Sequence, residues 1–541
     1  MMKTKMNILG VLLLLGFPIF AQVVSPEVAQ MVATNFIKST RSLSIDTIRE
    51  YNAITKPIGK DVQTPVMYAV STDNSWVLVS ADERSTPILA FSDVDAGVFP
   101  EEEDMPDGML ALLEWYEQQI QFLRDSTHEV TIHSSWQTNQ SAAASGVIVD
   151  KLMQRNGQYV RWKQSSNMNN TKDINKSYNK YCPLTSDGTN SLAGCVAVAM
   201  GQIMWYWQWP MVDIIETDSG SIMLREYDWS IMPYVLQNST PIQSVDMVAH
   251  LLHDLGVSVD MQYGTSSSSA SPQKIPDALR EFNYSTGDLI FRSQYPLDWL
   301  DMIKNNLNNG FPVLYGGANS NGAKHRFVVD GYDALNRFHI NYGHGGAFNG
   351  FYMLDKIIEE EYTSYYLSQS AIFDVYPNYP TCTPVELSNE EVLDSVFVLQ
   401  NSGEITISNK IIENGCKGLI CSAESIRIID SHIKNGSSVN IAIKDIPCTS
   451  ESKSSAPQYI ASRYSVSSTN NETSTDGDGV DDIESVEGVV IVSTAVYTVS
   501  GQLLQIVDGG LYSTSYLPNG MYILQHRMSD GSVKSEKIVH S

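Results

Sequence analysis

Residues 194–207 read Gly194-Cys195-Val196-Ala197-Val198-Ala199-Met200-Gly201-Gln202-Ile203-Met204-Trp205-Tyr206-Trp207. Loop-forming residues (Ser186, Asp187, Gly188, Thr189, Asn190) lead into this stretch, and Pro210 stops it. Between them the chain is apolar almost all round, which predicts a buried helix. Cys195 falls in its first turn. There the unpaired backbone N–H groups and the positive end of the helix dipole favour a thiolate, the nucleophilic form of the side chain. Taken alone, the stretch leaves two readings open: a nucleophile, or one more small core residue.

A thiolate nucleophile needs a base, and the base needs an orienting group. Of the ten histidines, His325 opens a strand pattern, Arg326-Phe327-Val328-Val329-Asp330-Gly331-Tyr332. A turn at Asp333-Ala334-Leu335-Asn336 follows, then a second strand, Phe338-His339-Ile340-Asn341-Tyr342. A hairpin folded at that turn is expected to bring His325 and Asn341 nearly opposite each other. His339, which shares Asn341's face of the strand, and His344, in a Gly-rich turn, are rival bases.

The rest of the chain sets the context. Its 541 residues suffice for several domains, and a net charge of -26 disfavours a nucleic-acid partner. No zinc-ligand spacing or phosphate-binding Gly loop appears, so neither a metal nor a cofactor is expected. Asp476-Gly477-Asp478-Gly479-Val480-Asp481-Asp482 reads as an acidic linker and lacks a full EF-hand pattern. Lys3 and Lys5, an apolar run from Ile8 to Phe20 and small Ala21 have the layout of a secretory signal peptide, residues 1–21. Export permits disulfides among the six cysteines. Cys416 with Cys421 and Cys382 with Cys448 are plausible pairs.

Five further regions follow the leader. Residues 22–146 carry a helical pattern at Val28, Met31, Val32 and Phe36, strand runs near Val66–Val70 and Trp76–Ser80, and a second helix with Met109, Leu112, Leu113, Tyr116, Ile120 and Leu123 on one face. The Ser/Ala/Asn-rich end of this region, 133–146, has the composition of an exposed, cleavable linker. Residues 147–379 hold the motifs above. Residues 380–450 read as a β-rich domain, 451–485 as a flexible linker and 486–541 as a small β-sandwich.

The joint pattern resembles the streptopain family of cysteine peptidases. The carriers are Gly194-Cys195-Val196-Ala197 with Met200, Gln202 and Ile203, then His325-x-Phe327-Val328-Val329-Asp330-Gly331, and Asn341-x-Gly343-x-Gly345-Gly346 with Gly350-Phe351-Tyr352. Trp162-x-Gln164, Asn179-x-Tyr181-Cys182-Pro183, Asp254-x-Gly256, Met261-x-Tyr263 and Phe311-Pro312-Val313-Leu314-Tyr315-x-Gly317 keep the same order. Tyr342 and His344 stand where the family has tryptophans, and extra residues lie between Gln164 and Tyr178. Trp76-Val77-Leu78-Val79-Ser80-Ala81-Asp82-Glu83-Arg84 with Pro87–Ser92 resembles the family's inhibitory prodomain. Val496-Tyr497, Gly501-Gln502-Leu503, Leu517-Pro518-Asn519-Gly520-Met521-Tyr522 and Lys537-Ile538-Val539 resemble the C-terminal sorting domain of type IX secretion cargo.

The resemblance implies an α+β, papain-like peptidase domain with an N-terminal α+β prodomain and C-terminal all-β domains. It implies a secreted or surface-located endopeptidase made as a zymogen, with Cys195 as nucleophile, His325 as base, Asn341 as orienting group and Gln164 in the oxyanion hole. The implied partners are protein substrates, the chain's own prodomain and the type IX machinery. Two alternatives stay open at this point: a catalytically degenerate surface binding protein of the same fold, and acyl transfer on the same residues.

Overall fold

The computed structural model describes residues 23–41, 54–59, 64–93, 96–125, 131–137, 147–164, 176–186, 188–216, 222–318, 324–358, 369–380, 382–387, 396–412, 415–429, 431–444, 446–448, 459–460, 491–498, 503–508, 520–528 and 533–540. The expected leader, the acidic linker and most of the expected cleavable linker lie outside these. Two units divide the chain: residues 1–211 with 227–377, and residues 212–226 with 378–541. The hairpin within 212–226, read from sequence as part of the peptidase region, thus groups with the C-terminal half.

The first unit is α+β. Its N-terminal part contains α1 (Pro26–Arg41), the strands β1 (Ile54–Ile58), β2 (Met67–Thr72), β3 (Ser75–Ser80) and β4 (Ile88–Ser92), and α2 (Asp107–Asp125). Alternation is absent from β2 and β3, which are buried throughout, because helices and sheet cover both faces. Val32, Ala33 and Phe36 of α1 pack on Val70, Val77 and Val79.

The remainder carries β5 (Val147–Val149), α3 (Cys195–Trp207), α4 (Ile242–Ser258), β6 (Ile290–Phe291), β7 (Val313–Ala318), β8 (Lys324–Asp333), β9 (Arg337–Asn341), β10 (Gly350–Met353) and β11 (Ser370–Ile372). All eleven strands belong to one sheet, in the order β1-β2-β3-β4-β10-β9-β8-β7-β11-β6, with β5 against β8. The join between the N-terminal part and the rest is β4 on β10, antiparallel, with Ala90, Phe91 and Ser92 opposite Tyr352, Phe351 and Gly350. Gly350 is required there: a Cβ would lie 2.3 Å from the Phe91 carbonyl oxygen.

α3 is the predicted buried helix, and every residue from Val196 to Trp205 is buried. It packs against α4, and Gly201 permits the approach, since a Cβ would come within 2.9 Å of Leu252. At Gly194 the chain takes φ 87°, a left-handed value that favours glycine, and a Cβ would strike Met261 at 2.8 Å.

In the second unit, residues 385–443 coil as parallel β-rungs. Val385–Leu387, Ile405–Ser408 and Ile426–Ile429 pair in parallel, as do Val396–Asn401, Lys417–Ser422 and Ser438–Ile443. Cys382 and Cys448 are disulfide-bonded, as one of the two expected pairs has it. Cys416 and Cys421 are both buried and are not joined in a disulfide. Cys416 directly precedes the strand that contains Cys421, and an extended chain spreads five residues over about 16 Å, too far for a disulfide. Residues 491–540 provide one four-stranded antiparallel sheet, and the described residues supply no second layer for the expected sandwich.

Candidate active site

Cys195 sits at the first position of α3, with its side chain at the mouth of a cleft of about 370 Å³. His325 comes from the start of β8, which packs against α3, and the two lie side by side in that cleft. Burial pushes the Cys195 thiol up, but the charge and hydrogen bond of His325, and the Arg326 backbone and guanidinium, outweigh it, so the thiol lies below its ordinary value. Burial pulls His325 down, yet its attraction to Cys195 and its bond to Tyr342 lift it above the ordinary imidazole range. The two opposite displacements are those of a cysteine and a histidine that each favour the other's charged form.

The orienting group differs from the sequence expectation. His325 Nε2 donates to the backbone carbonyl oxygen of Tyr342, at 2.9 Å. A carbonyl only accepts, so a proton stays on Nε2 and Nδ1 is left for the thiol. Asn341 does not stand opposite His325; its register partner on β8 is Val328. A hairpin closed at Asp333–Asn336 brings Asn341 to Val328, three residues from His325, and the irregularity between Val329 and Gly331 shifts the pairing by one residue only. The Asn341 amide donates instead to Val160 O at 2.9 Å and to Gln202 Oε1 at 3.1 Å, while its own carbonyl accepts from Gly343 N–H at 3.0 Å. Asn341 therefore fixes the Tyr342–Gly343 segment and acts on His325 through the backbone.

Gln202, two turns along α3 from Cys195, is fully buried, and its Oε1 accepts from both Asn341 and Trp162 N–H. It locks the nucleophile helix to the asparagine strand. The sequence displays it only as the one polar residue in an apolar helix, and a buried amide there must bond something. Gln164 is half-buried, and its backbone carbonyl accepts from the Asn179 amide at 3.0 Å. Asn179 also accepts from Ala193 N–H at 2.9 Å, so it ties the Gln164 segment to the residues directly before Cys195.

The rival bases differ from His325 in their surroundings. His339 is fully buried between Asp330, at 2.6 Å, and Asp93, at 3.3 Å. His344 is driven down to about 3 by burial, then by His325 and Lys163, and stays neutral. Tyr342, at the position of the family's first tryptophan, is buried with its ring 5.1 Å from that of Phe327 and 6.2 Å from that of His325.

The first turn of α2 lies on the same histidine. A Cβ at Gly108 would come within 3.2 Å of both His325 Cβ and Cδ2, and 3.1 Å of Phe327. Around this contact, Thr86 N–H donates to Ile357 O at 2.8 Å, Asp93 N–H to Asn349 O at 3.0 Å, Ile357 N–H to Gln119 Oε1 at 2.8 Å and Tyr116 hydroxyl to Met353 O at 2.7 Å. The guanidinium of Arg337 lies 4.9 Å over the rings of both Phe36 and Phe91. Residues 23–125 are thus bound through backbone, polar and aromatic contacts to the strands that carry the site.

Comparison with known proteins places the chain in a family. A model of the Peptidase C10 family matches residues 172–352, and one described as Spi protease inhibitor matches residues 21–120. Streptopain of Streptococcus pyogenes is 30% identical over 313 residues, covering 54% of this chain and 74% of that protein. The thiol protease/hemagglutinin PrtT of Porphyromonas gingivalis is 28% identical over 373 residues, covering 65% of this chain and 41% of that one. Among solved structures, a prointerpain A fragment of Prevotella intermedia has 22% identity and a TM-score of 0.43, covering 60% of this chain and 99% of the fragment. Active interpain A has 27% identity and a TM-score of 0.34, covering 42% of this chain and 95% of the enzyme. On the family match and the streptopain relative, the chain is a cysteine peptidase of the streptopain (C10) family with an inhibitor-type prodomain.

Proposed function

We propose that this chain is an exported endopeptidase, made as a zymogen, that hydrolyses peptide bonds of extracellular proteins with Cys195 and His325. The observation that carries this reading is the placement of Cys195 beside His325, at the first turn of a buried helix and at one end of a cleft. The thiolate attacks the scissile carbonyl carbon, and the carbonyl oxygen becomes an oxyanion. The Cys195 backbone N–H and the Gln164 amide hold it. His325 gives its proton to the departing amine, which leaves a thioester on Cys195. Water, deprotonated by His325, then releases the acid. Asn341 serves as a positioning residue. It steadies the Tyr342 carbonyl that fixes the His325 tautomer.

The prodomain would hold the enzyme latent by covering His325 with Gly108 and by adding β4 to the sheet. Cutting within 133–146 would free it. The leader at 1–21 supports export, and the segment matching sorting domains of type IX cargo supports transfer to the cell surface or medium. The test is to express the chain beside its Cys195→Ala form and follow processing and casein hydrolysis under reducing conditions. The reading expects loss of about the first 125 residues and gain of activity only with Cys195 present, as for any thiol-dependent zymogen. A chain that, even after trypsin cleavage in the linker, neither hydrolyses casein nor takes up a thiol-directed inhibitor is the degenerate surface protein instead.

A further inference from the structure

Three buried arginines of the first unit differ in how their charge is met. Arg292 reaches Asp355 at 2.6 Å, and Arg337 reaches Asp333 at 2.7 Å. Arg326, only 6% exposed, has no carboxylate partner among the described residues. Its guanidinium donates to Ser370 O at 3.3 Å and to Ser370 Oγ at 3.2 Å. Five N–H donors are available on a guanidinium, so these two bonds leave others unused. The head group rests on β7, where a Cβ at Gly316 would lie 2.7 Å from Arg326 Cζ, so glycine makes the room for it.

Arg326 also lines the Cys195 cleft. The other walls are mainly small or apolar, with Ala270, Pro272, Phe291 and Ala318, and Lys324 stands at the exposed edge. Among the described residues no aspartate or glutamate lines the cleft. In a chain of net charge -26, a substrate cleft whose described lining holds Arg326 and Lys324 and no carboxylate runs against the overall balance. A buried cation without a carboxylate partner is costly, and part of that cost is recovered when a ligand supplies one. Burial holds Arg326 down at about 10, and the first charge drawing it back up is the Cys195 thiolate, which places the guanidinium within electrostatic reach of the reacting sulfur.

We propose that Arg326 is a specificity residue that selects substrates presenting an aspartate or glutamate side chain to the cleft beside Cys195. The proposal rests on the peptidase reading and adds the substrate class to it. A side-chain carboxylate would accept from the unused guanidinium N–H groups while its methylene stem lies against Phe291 and Pro272. Lys324 at the rim adds attraction at longer range and is secondary.

The test uses the full chain activated by proteolysis within 133–146, with peptides blocked at both ends so that only a side chain can supply the carboxylate. At each position near the scissile bond, glutamate is compared with its neutral isostere glutamine. The expected result is one position where glutamate raises kcat/KM about tenfold or more, as a charge-assisted bond gives over a neutral one. That preference should narrow with added salt. Arg326→Met should bring the Glu/Gln ratio to about one, and Arg326→Lys should keep part of it. The ratio is internal, so a general loss of activity does not obscure it. Should Arg326→Met not fold, Lys324→Ala decides: a preference that survives it is assigned to Arg326, and one that vanishes overturns the assignment. Glutamine peptides cut as well as glutamate peptides at every position would overturn the proposal and leave the peptidase reading standing. If no peptide is cut and iodoacetamide does not label Cys195, both fail.

Discussion

Replacing Asp93 by asparagine should loosen the prodomain about sixtyfold and remove much of its pH dependence. Asp93 follows β4 and lies against His339 Nε2 at 3.3 Å and Lys151 Nζ at 3.3 Å, both on the peptidase side. On the far side of the imidazole, Nδ1 meets Asp330 at 2.6 Å. Burial pushes the Asp93 carboxyl up, but His339 first and Lys151 second draw it down to about 2, from an ordinary 3.8. At about 1.4 kcal/mol per pH unit, that displacement corresponds to roughly 2.5 kcal/mol of hold, or about sixtyfold in dissociation constant. The opposite displacement of His339 is larger, from 6.5 to about 9, but two carboxylates share it. The Asp93 value is therefore the better measure of this contact. The signs follow from linkage. Asp93 is depressed, so its contribution is complete above about pH 4 and fades only as pH falls toward 2. His339 is raised by both carboxylates and keeps Asp330 when the prodomain leaves, so only the part owed to Asp93 is lost as pH climbs through 9. The prodomain should hold best above about pH 4 and weaken toward pH 9. The assay is a Cys195→Ala chain cut in the linker, with release of the N-terminal fragment followed by sedimentation or fluorescence at pH 5, 7 and 9. Equal dissociation constants and parallel pH profiles for Asp93→Asn and the parent would refute the reasoning.

Three other outcomes follow from the same geometry. Thiol alkylation of the activated chain by iodoacetamide should begin below the ordinary cysteine range, because the Cys195 thiol is lowered, and the pair should persist above the ordinary imidazole range, because His325 is raised. An alkylation profile like that of free cysteine would contradict the pairing. Gly108→Leu should speed prodomain release and autoprocessing several-fold, since its side chain must enter space held by His325 and Phe327; unchanged processing would place the latency contact elsewhere. Asn341→Ala should lower thermal stability by about 1–3 kcal/mol, by leaving Val160 O and Gln202 Oε1 short of a donor, and should reduce kcat more than it raises KM. Loss of activity with stability intact would instead argue for direct contact with the imidazole in the working enzyme.

Much of the site was legible in the sequence because its signals are local. The apolar stretch after Gly194 could only be a buried helix, and its first residue was the cysteine. The strand pattern from His325, the turn at Asp333–Asn336 and the strand to Asn341 all form as read, since each depends on nearest neighbours and period-two alternation. The parallel rungs of 385–443 were also within reach. Ile405 pairs with Ile426, Ile411 with His432 and Lys417 with Ser438 at one constant interval, a repeat the alternation of short strands concealed.

What the tertiary structure alone decided depends on register and on partners distant in the chain. The one-residue irregularity around Asp330 is announced by no local pattern, although a hairpin closed at Asp333–Asn336 already places Asn341 near Val328 and three residues from His325. The choice of His325 over His339 and His344 came from their surroundings. His339 lies in the grip of Asp93 and Asp330, and His344 in a pocket that keeps it neutral. Gln202 and Asn179 gained their roles only when helix, loop and strand closed on one another. Helix, turn and strand type are written in adjacent side chains, whereas the protonation and aim of a catalytic group depend on charges and carbonyls that only folding brings beside it.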